Sequence, residues 1–157
     1  MNNLYLMVGA SGSGKSTYAN NFAESSGKSI KVVSRDAIRF SLLDDGTPYF
    51  SKEKAVFSKF IKEINEGLDK GDVIADATHI NEVSRMKLIK RIDLSKCKVS
   101  CKVSCIVLLT DELTAIKRNH LREGRARVPD SVISENYARF THPKTDKFHY
   151  HKIIEVN

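Results

Sequence analysis

No apolar run in the 157 residues approaches the ~20 that a membrane-crossing helix needs, so no transmembrane span is expected. The opening residues, Met1 to Val8, lack the charged start and small-residue cleavage site of a secretory leader, which points to a cytoplasmic protein. Cysteine is scarce: Cys97, Cys101 and Cys105 are the three, spaced four apart. On an extended strand neighbouring sulfurs would lie ~13 Å apart at ~3.3 Å per residue, too far to share a disulfide or a metal. They are expected to be small buried hydrophobes. Acidic residues are outnumbered, 19 against 26 Lys plus Arg, and the formal charge of +7 favours an anionic partner, either nucleotide phosphates or a polynucleotide backbone. Apart from the short Cys-Lys-Val-Ser tandem there is no repeat, low-complexity tract or linker, so one domain over residues 1–157 is expected.

Short β-rich runs alternate with amphipathic helices. Strands are expected at Leu4 to Val8, Ile30 to Val33, Val73 to Ala75, Val99 to Leu109 and Lys152 to Val156. Between them the pattern predicts a helix from Gly14, a second from Asp36 to Leu43, and a long one capped by Ser51 and ended by Gly71. Asn81 should cap a helix whose apolar stripe is Val83, Met86, Ile89 and Ile92. Asp111 should open another through His120, and Pro129 a last one with Ile133, Tyr137 and Phe140 inward. Strands separated by helices imply an α/β fold, a five-stranded parallel sheet covered on both faces.

The strongest local signal is Gly9-Ala-Ser11-Gly12-Ser13-Gly14-Lys15-Ser16, which matches G-x-x-x-x-G-K-[ST] between a strand and a helix. Glycines let the backbone curl so that successive N–H groups face phosphate oxygens, and the helix adds its positive N-terminal end. Lys15 would neutralise the β- and γ-phosphates, Ser16 would offer Mg²⁺ a hard oxygen, and Thr17 would bond the α-phosphate. Next, Ser34-Arg35-Asp36-Ala37-Ile38-Arg39 follows a strand at its carboxyl end, where ligands of open parallel sheets bind. Asp36 is placed to take a proton from an attacking hydroxyl, and Arg39 shares its helical face. The bland alternative is a capping Asp beside a surface Arg. Asp76, after Val73-Ile74-Ala75, can orient Mg²⁺ or position Thr78; its alternative is a turn-capping Asp.

Five cationic residues fall in the eleven positions from Lys117 to Arg127, with Arg118 and Arg122 a helical turn apart. A break at Gly124 and a restart at Pro129 suggest a lid over residues 118–130, with Arg122 stabilising charge on a transferring phosphoryl group. Tyr49 and Phe50, beside Pro48, could form an acceptor-side loop that stacks on bases. An attacking alcohol with a carboxylate base indicates phosphoryl transfer to a hydroxyl.

In order along the chain, Gly9 to Thr17, Ser34-Arg35-Asp36 through Arg39, Asp76-Ala77-Thr78, and Lys117-Arg118-Asn119 with Arg122, Gly124 and Val128-Pro129 resemble the kinase domain of the phage-type 5′-polynucleotide kinases, within the P-loop kinase superfamily. The resemblance implies a P-loop kinase fold with a helical lid and transfer of the γ-phosphate of ATP, or another NTP, to the 5′-hydroxyl of DNA or RNA with Mg²⁺. It implies that Lys15, Ser16 and Arg118 serve the donor, Asp36 is the general base, Arg39 engages the acceptor's phosphate and Arg122 activates the γ-phosphate. Two departures stand out. His79 replaces the Asn that often follows D-A-T, and Glu123 lengthens the lid by one residue, leaving Arg122 and Arg125 both open as the finger. No D-x-D-x-[TV] run occurs, so a fused 3′-phosphatase half is not expected. The rival readings are a small-metabolite kinase of the same superfamily and an acceptor-free ATPase.

Overall fold

The computed structural model describes residues 2–93, 95, 103–145 and 147–156. Five strands, β1 (Leu4–Val8), β2 (Ile30–Ser34), β3 (Asp72–Asp76), β4 (Val103–Thr110) and β5 (Phe148–Val156), form one parallel sheet in the order β2-β3-β1-β4-β5. β3 is buried along its whole length, as its continuous apolar run requires of a strand covered on both faces. Successive side chains of β1 go to opposite faces. Leu4, Leu6 and Val8 pack in one cluster with residues of α3 (Glu53–Leu68) and α4 (Glu82–Ile89). Met7 joins the other cluster, with Ala19 of α1 (Lys15–Ser25).

The chain leaves β1 for β2 in one direction, and from β3 it crosses β1 to β4. β1 therefore lies at the point where the strand order reverses, and a crevice opens at its carboxyl end. α2 (Arg35–Leu42) and α3 connect β2 to β3, while α5 (Glu112–His120) and α6 (Asp130–Arg139) connect β4 to β5.

The expected elements are present with shifted ends. α3 buries Val56, Phe57, Phe60, Ile61, Ile64 and Leu68 as the spacing predicts, but Ser51 does not cap it. Its hydroxyl instead bonds Pro48 O in the preceding turn, and Lys52 occupies the cap position. The α4 stripe is wrong on one side. Val83 is 77 % exposed, and the buried positions are Arg85 and Leu88. The Asn81–Ser84 capping box fixes where the helix starts, and a fully buried arginine takes the place the pattern reserves for a hydrophobe. Arg85 is held by backbone oxygens: Nε donates to His79 O (2.8 Å), and Nη2 to Ile80 O (3.1 Å) and Thr141 O. Cys105 is buried on β4, and burial pushes its thiol up to about 12; Cys97, Cys101 and the start of the run at Val99 lie outside the described residues.

Candidate active site

The loop after β1 is tied down on every side. Gly9 N–H donates to Thr78 O at 3.0 Å, so the β3 exit holds the loop's first residue. Ser13 O accepts from Thr110 Oγ1 (2.9 Å) and Arg118 Nη1 (3.2 Å), and Ser11 N–H donates to Asn136 Oδ1 of α6 (3.1 Å). Gly12 sits at φ 81°, and a Cβ there would meet Ala115 O at 2.4 Å, so only glycine fits. Gly14, at φ 96°, precedes α1 with no side-chain cap, leaving the helix's first N–H groups free for an anion.

Lys15 Nζ folds back onto Ala10 O at 3.1 Å. Burial draws its pKa down, Asp76 and Asp36 oppose that, and Arg122 adds to it. Ser16 Oγ donates to Asp76 Oδ2 at 2.6 Å, joining the loop to the end of β3. This pair fits Mg²⁺, since a hydroxyl and a carboxylate are hard oxygens. Among the described residues no group of three or more His, Cys, Asp or Glu forms an all-protein cage. Asp76 is buried with its carboxylate on Ser16, so it is not merely a turn cap.

Across the cleft, Ser34 caps α2 by accepting from Ala37 N–H at 3.1 Å. Asp36 is therefore inside the first turn rather than at the cap, with a side chain 53 % exposed. Arg39 is 5 % exposed, not a surface residue. Its Nε and Nη2 donate to the two oxygens of Glu53 at 2.7 and 2.9 Å, and Nη1 donates to Asp36 Oδ1 and to Tyr49 Oη (2.7 Å). Tyr49 in turn donates its hydroxyl to Asp36 Oδ1. Burial, then the Asp36 charge, raises the phenol's pKa, so it remains a donor. Burial also works against the Glu53 carboxylate, but Arg39 and Arg35 outweigh it and hold its pKa down.

The lid segment runs from the end of α5 through a 3-10 turn at Gly124–Ala126 to the start of α6. Asn119 pins it twice: Nδ2 donates to Val128 O (2.6 Å) and Oδ1 accepts from Val128 N–H (3.0 Å). Arg118 does not face the cleft with Arg122; it braces the P-loop through Ser13 O. The two candidate fingers separate. Arg122 lines the cleft, whereas Arg125 donates to Leu43 O (2.7 Å) and Phe40 O (3.1 Å) and lies over the Phe40 ring.

One cleft of about 260 Å³ brings together Ser11, Gly14, Lys15, Ser16, Thr17, Asp36, Arg39, Asp76, Thr78 and Arg122, with Tyr49, Phe50, Glu53 and Asn136 on its walls. Gly9, Gly12, Ser13 and Arg118 stand behind it, shaping the loop. Sequence reasoning missed Glu53 and Asn136. Glu53 carries no motif of its own, being 14 residues from the arginine it holds. Asn136 had a signal: it interrupts the inward stripe of Ile133, Tyr137 and Phe140 at helical spacing. His79 is buried with φ 41°, its Nδ1 on Met7 O (2.7 Å), and burial lowers its pKa to about 4.

Sheet order, P-loop and cleft define a kinase-like P-loop domain, a fold that implies nucleotide binding. The chain belongs to the AAA domain family (AAA_33), whose sequence profile matches residues 4–143. Among solved structures it is similar to a sugar kinase from Janibacter sp. HTCC2649, with 16 % identity, TM-score 0.66, and coverage of 99 % of this chain and 86 % of that one. Kti12 of Chaetomium thermophilum, solved with ADP-AlF3, shares 14 % identity at TM-score 0.64, covering 98 % and 88 %. A chain of the Pnkp1/Rnl/Hen1 RNA repair complex shares 22 % identity at TM-score 0.70, covering 88 % of this chain and 43 % of that one. At these identities the likeness speaks to fold alone. No curated protein matches in sequence. No helix among the described residues is long and apolar enough to cross a membrane.

Proposed function

We propose that this chain is a 5′-hydroxyl polynucleotide kinase, transferring the γ-phosphate of ATP or another NTP to the 5′ end of DNA or RNA. The observation that carries the reading is the pairing of Asp36 and Arg39 in the same cleft as Lys15 and Arg122. A hydrolase needs only to seat a water, whereas a carboxylate locked beside a guanidinium suits an acceptor that brings both a hydroxyl and a phosphate. The acceptor oxygen bonds the γ-phosphorus as its proton passes to Asp36, and the bond to the bridging oxygen breaks to release the nucleoside diphosphate. Lys15 and Arg122 offset the charge on the moving group and the leaving phosphates. Ser16 and Asp76 would hold Mg²⁺, which neutralises the donor phosphates when bound. The 22 % identical neighbour from an RNA repair complex and the +7 charge agree with a nucleic acid acceptor.

A small-metabolite kinase is the second reading, because the sugar kinase neighbour shares the same fold. Transfer of labelled γ-phosphate to 5′-OH DNA and RNA, run beside a panel of sugar acids, antibiotics and nucleosides, separates the two. Transfer to oligonucleotides is expected; labelling of the panel with none of the oligonucleotides would sink the first reading.

A further inference from the structure

The α2–α3 connection brings Tyr49 and Phe50 over the two groups an acceptor must reach. The Tyr49 hydroxyl takes a hydrogen bond from Arg39 Nη1 at 2.7 Å and gives one to Asp36 Oδ1. It thus occupies both the base and the cation at once. Phe50 packs edge-on to Tyr49, with ring centroids 4.6 Å apart, and the Arg39 guanidinium lies 5.6 Å from its centroid. Yet Phe50 is 54 % exposed and lines the cleft, an aromatic face with room beside it. A core role would bury that ring. A flat nucleobase would gain a stacking surface whatever its identity.

We infer that Tyr49 and Phe50 form the acceptor-recognition element: the Tyr49 hydroxyl keeps the acceptor's place on Asp36 and Arg39, and a nucleoside-bearing 5′ end displaces it while its terminal base stacks on Phe50. This rests on the polynucleotide reading above. Displacement frees Arg39 Nη1 for an acceptor phosphate and Asp36 Oδ1 for the hydroxyl. With no acceptor present, the phenol occupies Asp36 Oδ1 beside Arg39, on a carboxylate that is otherwise half exposed, and so keeps a water from being seated between the two groups and suppresses futile hydrolysis.

The test compares two 5′-OH oligonucleotides, one with a normal terminal base and one abasic at that residue. The unmodified protein should favour the base-bearing strand about tenfold in kcat/KM. Phe50→Ala should bring that ratio near one, and Phe50→Trp should restore it. Tyr49→Phe should raise acceptor-free ATP hydrolysis severalfold, a readout that needs no oligonucleotide. A base-to-abasic ratio that Phe50→Ala leaves unchanged, or ATP hydrolysis that Tyr49→Phe leaves unchanged, overturns the inference while oligonucleotide transfer itself stands. Absence of transfer to either strand by the unmodified protein removes the polynucleotide reading and the stacking role together.

Discussion

Around the P-loop, the cleft is shaped by main chain: carbonyls and amides of Gly9, Ser11 and Ser13 are bound by residues from β4, α5, α6 and the exit of β3. Across the cleft, the wall is shaped by side-chain charge, with one guanidinium shared among Glu53, Asp36 and Tyr49. The difference separates stability from chemistry. A backbone cradle spreads its hold over several neutral and charged partners. A charge network fails in two distinct ways, depending on whether the buried or the exposed partner is removed.

Four measurements break or sharpen that contrast. Arg122→Ala is expected to cut transfer by roughly 10³-fold or more, the scale of a lost arginine finger, while Arg125→Ala, whose guanidinium is spent on the Phe40 and Leu43 carbonyls and the Phe40 ring, should cost less than about tenfold. Equal losses would reassign the finger. Asp36→Asn should lower transfer by about 10² to 10⁴ and leave nucleotide affinity intact. Because its side chain is 53 % exposed and Arg39 keeps Glu53, stability should move less than for loss of Glu53, by about 1 kcal/mol. Glu53→Ala reverses that balance. It strips the nearly buried Arg39 of its bidentate partner and should cost about 3 kcal/mol in urea unfolding. A Glu53→Ala protein as stable as the parent would show that the wall is not held by this pair.

The smallest effect belongs to His79. Its pKa is about 4 in the fold against an ordinary 6.5. Below that ordinary value the unfolded chain takes up a proton that the folded chain refuses. Stability should therefore be flat above about pH 6.5 and decline as pH falls toward 4, by on the order of 1–3 kcal/mol from this group. His79→Asn should flatten that acid limb in a series of thermal melts.

The same contrast explains what was legible in the sequence. The P-loop is contiguous, and its glycines are dictated by local geometry such as the 2.4 Å approach at Gly12, so the motif reads directly. The parallel sheet follows from strand and helix periods, which are local as well. The wall across the cleft depends on Glu53 and Tyr49 returning to Arg39 after a turn; the aromatic pair beside Pro48 singles out Tyr49 in the sequence, but nothing near Glu53 announces the meeting. α4 misled for a related reason. Its apolar spacing suggested Val83, but the capping box and the carbonyls at His79, Ile80 and Thr141 set its rotation around Arg85.

Asn119 has a mechanical consequence. By clasping Val128 through both its N–H and C=O, it ties the feet of the segment 120–127 together. Arg122 therefore sits on a short hoop whose two feet are joined at the base of the segment. Asn136, on α6 beyond that hoop, holds Ser11 through a bond of its own, so the P-loop and the Arg122 segment are braced separately.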